Sequence, residues 1–193
     1  MNKTEYIELI KDRMSEYRFN HSLNVAKAAV ELAKHYGADI EDTEIAGILH
    51  DSCKELPNDE MLQIINDGGI ILDNCEKHSS KLWHSIAGSC YARDVLKIDN
   101  QDIINAIKYH TTGRANMSLL EKIIFTADYI SEERNFDGVD IMRKKAFEDI
   151  DDAMLFALQF TLSDLSKRKM VIHNNAVLCY NDVVINLTKK GLL

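Results

Sequence analysis

Apolar residues recur at helical spacing along most of this chain, and short polar stretches separate the runs. The spacing predicts a first helix from about Lys3 to Ser15. A second carries His21, Val25, Ala28, Ala29 and Leu32 on one stripe and stops at Gly37. A third is expected from about Glu41 to Lys54, with Ile45, Ala46, Ile48 and Leu49 facing inward. Pro57 then fixes a turn, and Asn58 is placed to cap a short helix that ends at Gly68-Gly69. Further helices are expected from about Ser80 to Leu96 and from about Asn100 to His110, the latter stopping at Gly113. Ser118 with Glu121 makes a capping-box pattern that opens a helix bearing Leu120, Ile123, Ile124 and Ala127. Gly138 marks a turn, a long helix follows over about Asp151 to Ile172, and Val177 to Lys190 closes the chain. The segment Val183 to Leu187 also admits a strand reading, of lower weight. The fold class is all-α: one domain over residues 1–193, an irregular helical bundle around one core.

Composition narrows this further. One proline and eight glycines leave long helices with few interruptions. The formal net charge of −8 argues against nonspecific nucleic-acid or anionic-membrane partners. It does not exclude a small anionic substrate, because bound cations would invert the local field. Cys53, Cys75, Cys90 and Cys179 form no C-x-x-C pair, and free thiols fit a reducing cytosol. Met1 to Glu8 has no apolar signal core, and no apolar run has the length of a membrane span, so the cytoplasm is the expected compartment.

Six polar residues stand out against the apolar stripes: His21, His50, Asp51, His84, His110 and Asp128. Neighbours on a helix diverge by about 100°, yet His50 and Asp51 can reach one ion from a shared edge. Asp51 has two oxygens and can bridge two ions. Asp128 follows Ala127 near a buried stripe, where an unpaired carboxylate would cost several kcal/mol, roughly, or be protonated. Taken singly, each of these residues reads as a hydrogen-bonded core histidine, a helix-end pair or a buried salt bridge. Taken together, four histidines and two aspartates on apolar faces are better explained by one site. Six imidazole and carboxylate ligands exceed a closed structural zinc site and suggest two ions with open positions. Metal-activated hydroxide attacking phosphorus is the chemistry that follows. His35, His78 and His173 look solvent-facing and receive no role.

Phosphate chemistry also needs cations and donors near the ions. Lys54 shares a face with His50 and Asp51. Arg18 lies three residues before His21, Arg134 follows Asp128, and Thr111, Thr112 and the Gly113 amide come directly after His110. For Arg18 and Arg134 the spacing fits a surface role equally well.

With these residues in hand, the chain resembles the HD-domain phosphohydrolases, whose ordered pattern is H…HD…D: here His21, His50-Asp51 and Asp128, with His84 and His110 as the extra histidines of binuclear branches. More narrowly it is similar to the YqeK family. The matching strings are Tyr17-Arg18-Phe19-Asn20-His21-Ser22, Ala46 to Asp51 with Lys54, Trp83-His84-Ser85, His110-Thr111-Thr112-Gly113, and Ala127-Asp128-Tyr129-Ile130 followed by Arg134. The resemblance implies a di-iron enzyme that splits diadenosine tetraphosphate into two ADP. It implies one ion on His21, His50, Asp51 and Asp128, and another on Asp51, His84 and His110. Asp51 and Lys54 are then the catalytic candidates, and Arg18, Lys54, Thr111, Thr112, Gly113 and Arg134 the candidate substrate contacts. Iron comes first among the metals, with manganese, cobalt, nickel and zinc as alternatives. Some relatives are linked with NAD metabolism; no residue here supports that role. The alternatives are an HD phosphohydrolase of another nucleotide (a monophosphate, a deoxynucleotide or a signalling nucleotide) and a non-enzymatic nucleotide sensor. A homodimer is compatible with an enzyme of this size, with no interface residue marked. Gly68 to His78 matches no family motif, and the Leu155, Leu158, Leu162 and Leu165 stripe reads as core or dimer contact.

Overall fold

In the computed structural model, which describes residues 1–193, eleven α-helices follow one another with no strand. They are α1 (Lys3–Lys11), α2 (Glu16–Tyr36), α3 (Ile40–Leu49), α4 (Asn58–Asp67), α5 (Asn74–Lys77), α6 (Trp83–Asp94), α7 (Gln101–Tyr109), α8 (Leu119–Ile130), α9 (Val139–Glu148), α10 (Ile150–Lys167) and α11 (Asn174–Lys189). A short 3-10 turn, Ser80–Leu82, leads into α6. The helical class expected from the apolar spacing is what the chain adopts.

Several boundaries differ from the sequence reading for local reasons. The first helix ends at Lys11, not Ser15, because Ser15 caps α2: its side chain accepts the Arg18 N–H. The Ser15 amide and hydroxyl also donate to Glu55, which ties this start to the turns that follow α3. The third helix stops at Leu49 and not at Lys54. The chain beyond it tightens into turns in which Ser52 N–H reaches Leu49 O and Lys54 N–H reaches Asp51 O. Pro57, not Asn58, occupies the cap position of α4, and no side chain caps that helix. The long C-terminal helix starts at Ile150, where the Asp149 side chain accepts two amides, and ends at Lys167 rather than Ile172. Val183 to Leu187 lies inside α11, so the strand reading is set aside. Helix α9 was not anticipated. Its buried Val139, Met142 and Ala146 make a narrow stripe on an otherwise polar segment.

The main core gathers Val25, Ala29 and Leu32 of α2, Ile48 and Leu49 of α3, Ile107 of α7, Ile123 and Ile124 of α8, and Met154 and Leu158 of α10. A smaller cluster of Cys53, Met61, Ile65, Ile86 and Tyr91 packs α4 onto α6. Leu155 and Leu158 belong to the main core, so the C-terminal stripe is core in its first half. Helix α2 runs against both α3 and α8, and α7 lies between α6 and α8. One glycine decides how close the first pair comes. A Cβ built on Gly47 would stand 2.7 Å from the Ala26 Cα, which no side chain tolerates. That approach brings the end of α3, with His50, against the helix that carries His21.

Candidate metal centre

Each candidate ligand is delivered by a different piece of this framework. His21 stands within α2, and His84 is the second residue of α6. His50 and His110 are the residues that terminate α3 and α7. Asp51 follows His50 in the tight turn, and Asp128 lies in the last turns of α8. The turn geometry at residues 49–54 matters here, because adjacent side chains on a regular helix diverge whereas both of these point inward.

The carboxylate of Asp51 is the hub. Its Oδ2 lies 3.7 Å from His21 Nε2 and 3.6 Å from His50 Nε2. Its Oδ1 lies 3.2 Å from His84 Nε2 and 3.4 Å from His110 Nε2. Asp128 Oδ1 sits 3.1 Å from His21 Nε2. His21, His50, Asp51, His84 and His110 are all buried, and the Asp128 side chain is only 17% exposed.

Three of the four imidazoles are tied down by their outer nitrogen. His50 Nδ1 donates to Gly47 O at 2.7 Å, and His110 Nδ1 donates to Ile107 O at 2.8 Å. His21 Nδ1 pairs with the carboxylate of Glu133. A proton held at Nδ1 leaves Nε2 as a lone pair facing inward, the arrangement usual for metal-bound histidine. Burial lowers the pKa of His50 and His84 to about 4 in each case, so both rings are neutral at neutral pH. Burial pushes the Asp51 carboxyl up, but the surrounding His50, His110 and His84 outweigh it and hold the group well below the usual carboxylate range. Asp128 behaves likewise: burial raises it, and the neighbouring His21 imidazole and Arg134 charge outweigh that and bring it down.

These groups fit divalent metal. His21 Nε2, His50 Nε2 and Asp51 Oδ1 are buried polar atoms with no hydrogen-bond partner in the protein, a costly state unless something else binds them. Within each of the sets His21–His50–Asp51, His50–His110–Asp128 and Asp51–His84–His110, the ligand atoms lie within 4.8 Å of one another. Nitrogen and oxygen donors without thiolate suit first-row divalent ions.

Comparison with known proteins points the same way. Residues 18–133 match the family model described as HD domain, and that span carries all six ligand candidates. The chain belongs to the HD-domain family. It is 37% identical over 185 residues to a symmetrical bis(5'-nucleosyl)-tetraphosphatase of Halalkalibacterium halodurans, covering 96% of this chain and 98% of that protein. The enzyme of the same name from Bacillus subtilis is 38% identical over 187 residues, 95% of this chain and 98% of its own. Among solved structures, one described as a predicted HD superfamily hydrolase involved in NAD metabolism, from Clostridium acetobutylicum, superposes with a TM-score of 0.93 at 38% identity. It covers 96% of this chain and 98% of its own. The chain is thus a metal-dependent hydrolase of the HD superfamily. No helix is long and apolar enough to cross a membrane.

Around this HD centre the other candidate residues separate into two groups. Arg18 Nη1 pairs with Asp51 Oδ2 at 2.7 Å, and Arg134 pairs with Asp128 through Nη2 while its Nε donates to the Asp128 carbonyl. Lys54 Nζ lies 3.1 Å from His84 Nε2 and 4.0 Å from Asp51 Oδ1, and burial lowers its pKa. Thr111 shares a cleft with His110, Asp128 and Arg134. Thr112 and Gly113 do not join them. The Thr112 hydroxyl donates to Gly113 O, and the Gly113 amide donates to Tyr109 O, so neither is a free donor. Gly113 has φ +64°, and a Cβ there would meet Cys179 Sγ at 2.5 Å; it serves the packing of the turn on α11.

Two further residues change the sequence reading. Glu133 accepts from Asn24 Nδ2 at 2.8 Å and Ser131 Oγ at 2.7 Å while holding His21. Nothing in Glu132-Glu133-Arg134 distinguishes it from Glu132, which is exposed and pairs with Lys27. His173 is buried rather than solvent-facing. Its Nδ1 accepts the Asn175 N–H that opens α11, so the ring proton sits on Nε2, facing Asp73 and Glu76 at 3.3 and 3.6 Å. His173 Nε2 lies near both carboxylates without a hydrogen bond to either. His35 and His78 are exposed, as expected.

Proposed function

We propose that this protein hydrolyses diadenosine tetraphosphate to two ADP at a centre of two divalent ions, with iron first among the candidates. One observation supports the two-ion reading above others: the two oxygens of Asp51 face different histidine pairs, His21 and His50 on one side and His84 and His110 on the other. Each oxygen thus has its own pair of imidazoles, the arrangement that a carboxylate shared by two ions would need. The substrate follows from the name shared by the relatives that match almost end to end. Iron follows from the resemblance of the ligand strings, with manganese, cobalt, nickel and zinc compatible with the same donors.

Bound divalent ions lower the pKa of water and neutralise phosphoryl oxygens. The chain's own residues arrange the rest. His21, His50, Asp51 and Asp128 would hold one ion, and Asp51, His84 and His110 the other. Arg18 and Arg134 are engaged with Asp51 and Asp128, so they hold those carboxylates ionised and aimed. Lys54 has no carboxylate oxygen closer than 4.0 Å and meets the His84 ring instead; with that ring on a metal, its ammonium could donate to a phosphoryl oxygen. Thr111 lines the cleft at His110 and Asp128 and is a neutral donor on the other edge of the cluster. In the reaction, a water oxygen bonds to an inner phosphorus and the bond from that phosphorus to the central bridging oxygen breaks. The bridging oxygen leaves on the second ADP, a weakly basic leaving group that needs little protonation.

The same reading makes the chain a single-domain cytoplasmic enzyme, in keeping with four free cysteines and a net charge of −8 that disfavours nucleic acid as a partner. The test is metal analysis of protein purified without chelator or added metal, followed by chromatography of products on the same sample. ADP alone from diadenosine tetraphosphate, and its loss in Asp51→Ala, is expected. Intact tetraphosphate with iron, manganese or cobalt present overturns the proposal, and turnover of other nucleotides in its place reassigns the substrate.

A further inference from the structure

Two clefts of different chemistry border the ligand cluster. The first, of about 300 Å³, reaches His110 and Asp128 at its inner end and is walled by Thr111, Arg134, Tyr129, Phe136 and Phe160. The second, of about 450 Å³, reaches His84 and is walled by Lys54, Lys81, Ser80, Asn58 and Met61, with no aromatic ring.

Tyr129 and Phe136 of the first cleft's aromatic wall pack on the main core, but Phe160 does not. Phe160 is 49% exposed on α10, whereas its neighbours Ala157 and Leu158 are buried. Its ring packs against Phe136 from the loop after α8, with centroids 5.5 Å apart and planes tilted by 32°. The two rings touch, so a flat ligand would lie on their open faces and not between them. Tyr129 completes the wall, and its hydroxyl is bonded to Thr161 Oγ1 at 2.7 Å, which fixes the ring and uses up its polar end. An exposed aromatic surface in the same cleft as two ligand candidates suits a nucleobase, which every aromatic face stacks with to a similar degree. The volume is at the lower end for a small-ligand pocket and suits one nucleoside.

We infer that the Tyr129–Phe136–Phe160 cleft binds one nucleoside of the substrate by stacking, while the other half lies along the lysine-lined cleft and is held by its phosphates. This rests on the reading of the chain as a dinucleoside-polyphosphate hydrolase. It adds that a chemically symmetric substrate is gripped unsymmetrically, through one base only. Two consequences follow. A mononucleoside tetraphosphate keeps every contact that matters and is recognised nearly as well as the dinucleoside. The base itself is read weakly, because neither Tyr129 nor the phenylalanines offer a free donor or acceptor to its edge.

The test uses the full metal-loaded chain in two arms. In the first, ADP binding is titrated on wild type, Phe160→Ala, Phe160→Trp and the control Phe147→Ala, whose exposed ring lies on α9 beside His35. Phe160→Ala is expected to weaken ADP about tenfold, the size of one lost base–aromatic stack, while Phe160→Trp restores it and Phe147→Ala changes nothing. In the second arm, KM and kcat are compared for diadenosine tetraphosphate and adenosine 5'-tetraphosphate. Similar KM values for the two, with Phe160→Ala raising both at nearly constant kcat, are expected. ADP affinity indifferent to Phe160→Ala overturns the inference, as does a mononucleoside tetraphosphate bound a hundredfold more weakly than the dinucleoside. If the wild type cleaves neither compound, the proposed reaction fails, and the ADP arm alone decides whether the stacking site stands.

Discussion

The carboxylate of Glu133 receives the Nδ1–H of His21, and it is the only carboxylate that backs a ligand histidine in this protein from outside the cluster. Asn24 and Ser131 hold Glu133 in turn. The chain of contacts fixes both the ring plane and the tautomer of His21, and so aims its Nε2 inward.

Outer partners of this kind commonly carry about 10–100-fold of metal affinity. Glu133→Ala is therefore expected to weaken one ion by about that factor in a chelator competition. Glu132→Ala, at a residue exposed on the same turn, is expected to leave it unchanged. Equal effects from the two substitutions would show that loop integrity, and not the His21 contact, is what matters.

Gly47 makes a second prediction. Its Cβ in Gly47→Ala would press on the Ala26 backbone at 2.7 Å, and backbone cannot swing aside. Overpacking of this kind costs about 1–3 kcal/mol. Because the same contact sets the approach of α2 to α3, the variant should also lose metal at the His21–His50 side. Denaturant unfolding and metal stoichiometry on one preparation check both, and an unchanged midpoint would contradict the close approach.

Lys54 and Arg18 are expected to differ although both are cations near Asp51. Arg18 is bound to Asp51 Oδ2 at 2.7 Å, so Arg18→Met should lower metal occupancy. Lys54→Met should keep metal occupancy and lower kcat/KM by about 100–1000-fold, the scale of one lost donor to developing charge. Steady-state kinetics beside metal analysis separates the two. Full occupancy with unchanged kinetics in Lys54→Met would remove this residue from the mechanism.

The C-terminal helix supplies a pH prediction away from the metals. Asp151 is buried and bonded by Lys122 at 2.6 Å and Lys190 at 2.8 Å. Burial alone would raise its pKa; the two lysines outweigh that and hold it below the usual value. A depressed folded pKa means the unfolded chain binds the proton more readily. Its stabilisation is thus present above the ordinary carboxylate value near 4, roughly, and is lost as pH falls through that value to the lower folded one. Asp151→Asn should cost about 1–3 kcal/mol at pH 7 and flatten the fall of metal-free stability between about pH 5 and 3. Identical slopes for wild type and variant in thermal unfolding would sink this account.

Much of the site was legible in one dimension because the ligands are the wrong residue types for their positions. Imidazoles and carboxylates on apolar helix faces need a reason, and six of them share one. Thr112 and Gly113 adjoin His110 in sequence, but adjacency in a helix-ending turn sends successive groups in different directions. Gly113 N–H returns to Tyr109 O, and the Thr112 hydroxyl is taken by Gly113 O. The polar residues around His173 suggest exposure, yet it is buried, with the remaining oxygens of the Asp73 and Glu76 capping box facing it.

Helical periodicity, the caps at Gly37 and Ser118, and the ordered set His21, His50-Asp51, His84, His110 and Asp128 follow from local chemistry, so the sequence by itself determined the class of fold and the ligand inventory. Tertiary structure alone decided which Asp51 oxygen faces which histidines, that Glu133 and not Glu132 holds His21, and that aromatic rings line one cleft and lysines the other. Those are relations between side chains distant in sequence. They depend on how closely helices approach and how turns aim their residues, which periodicity does not encode.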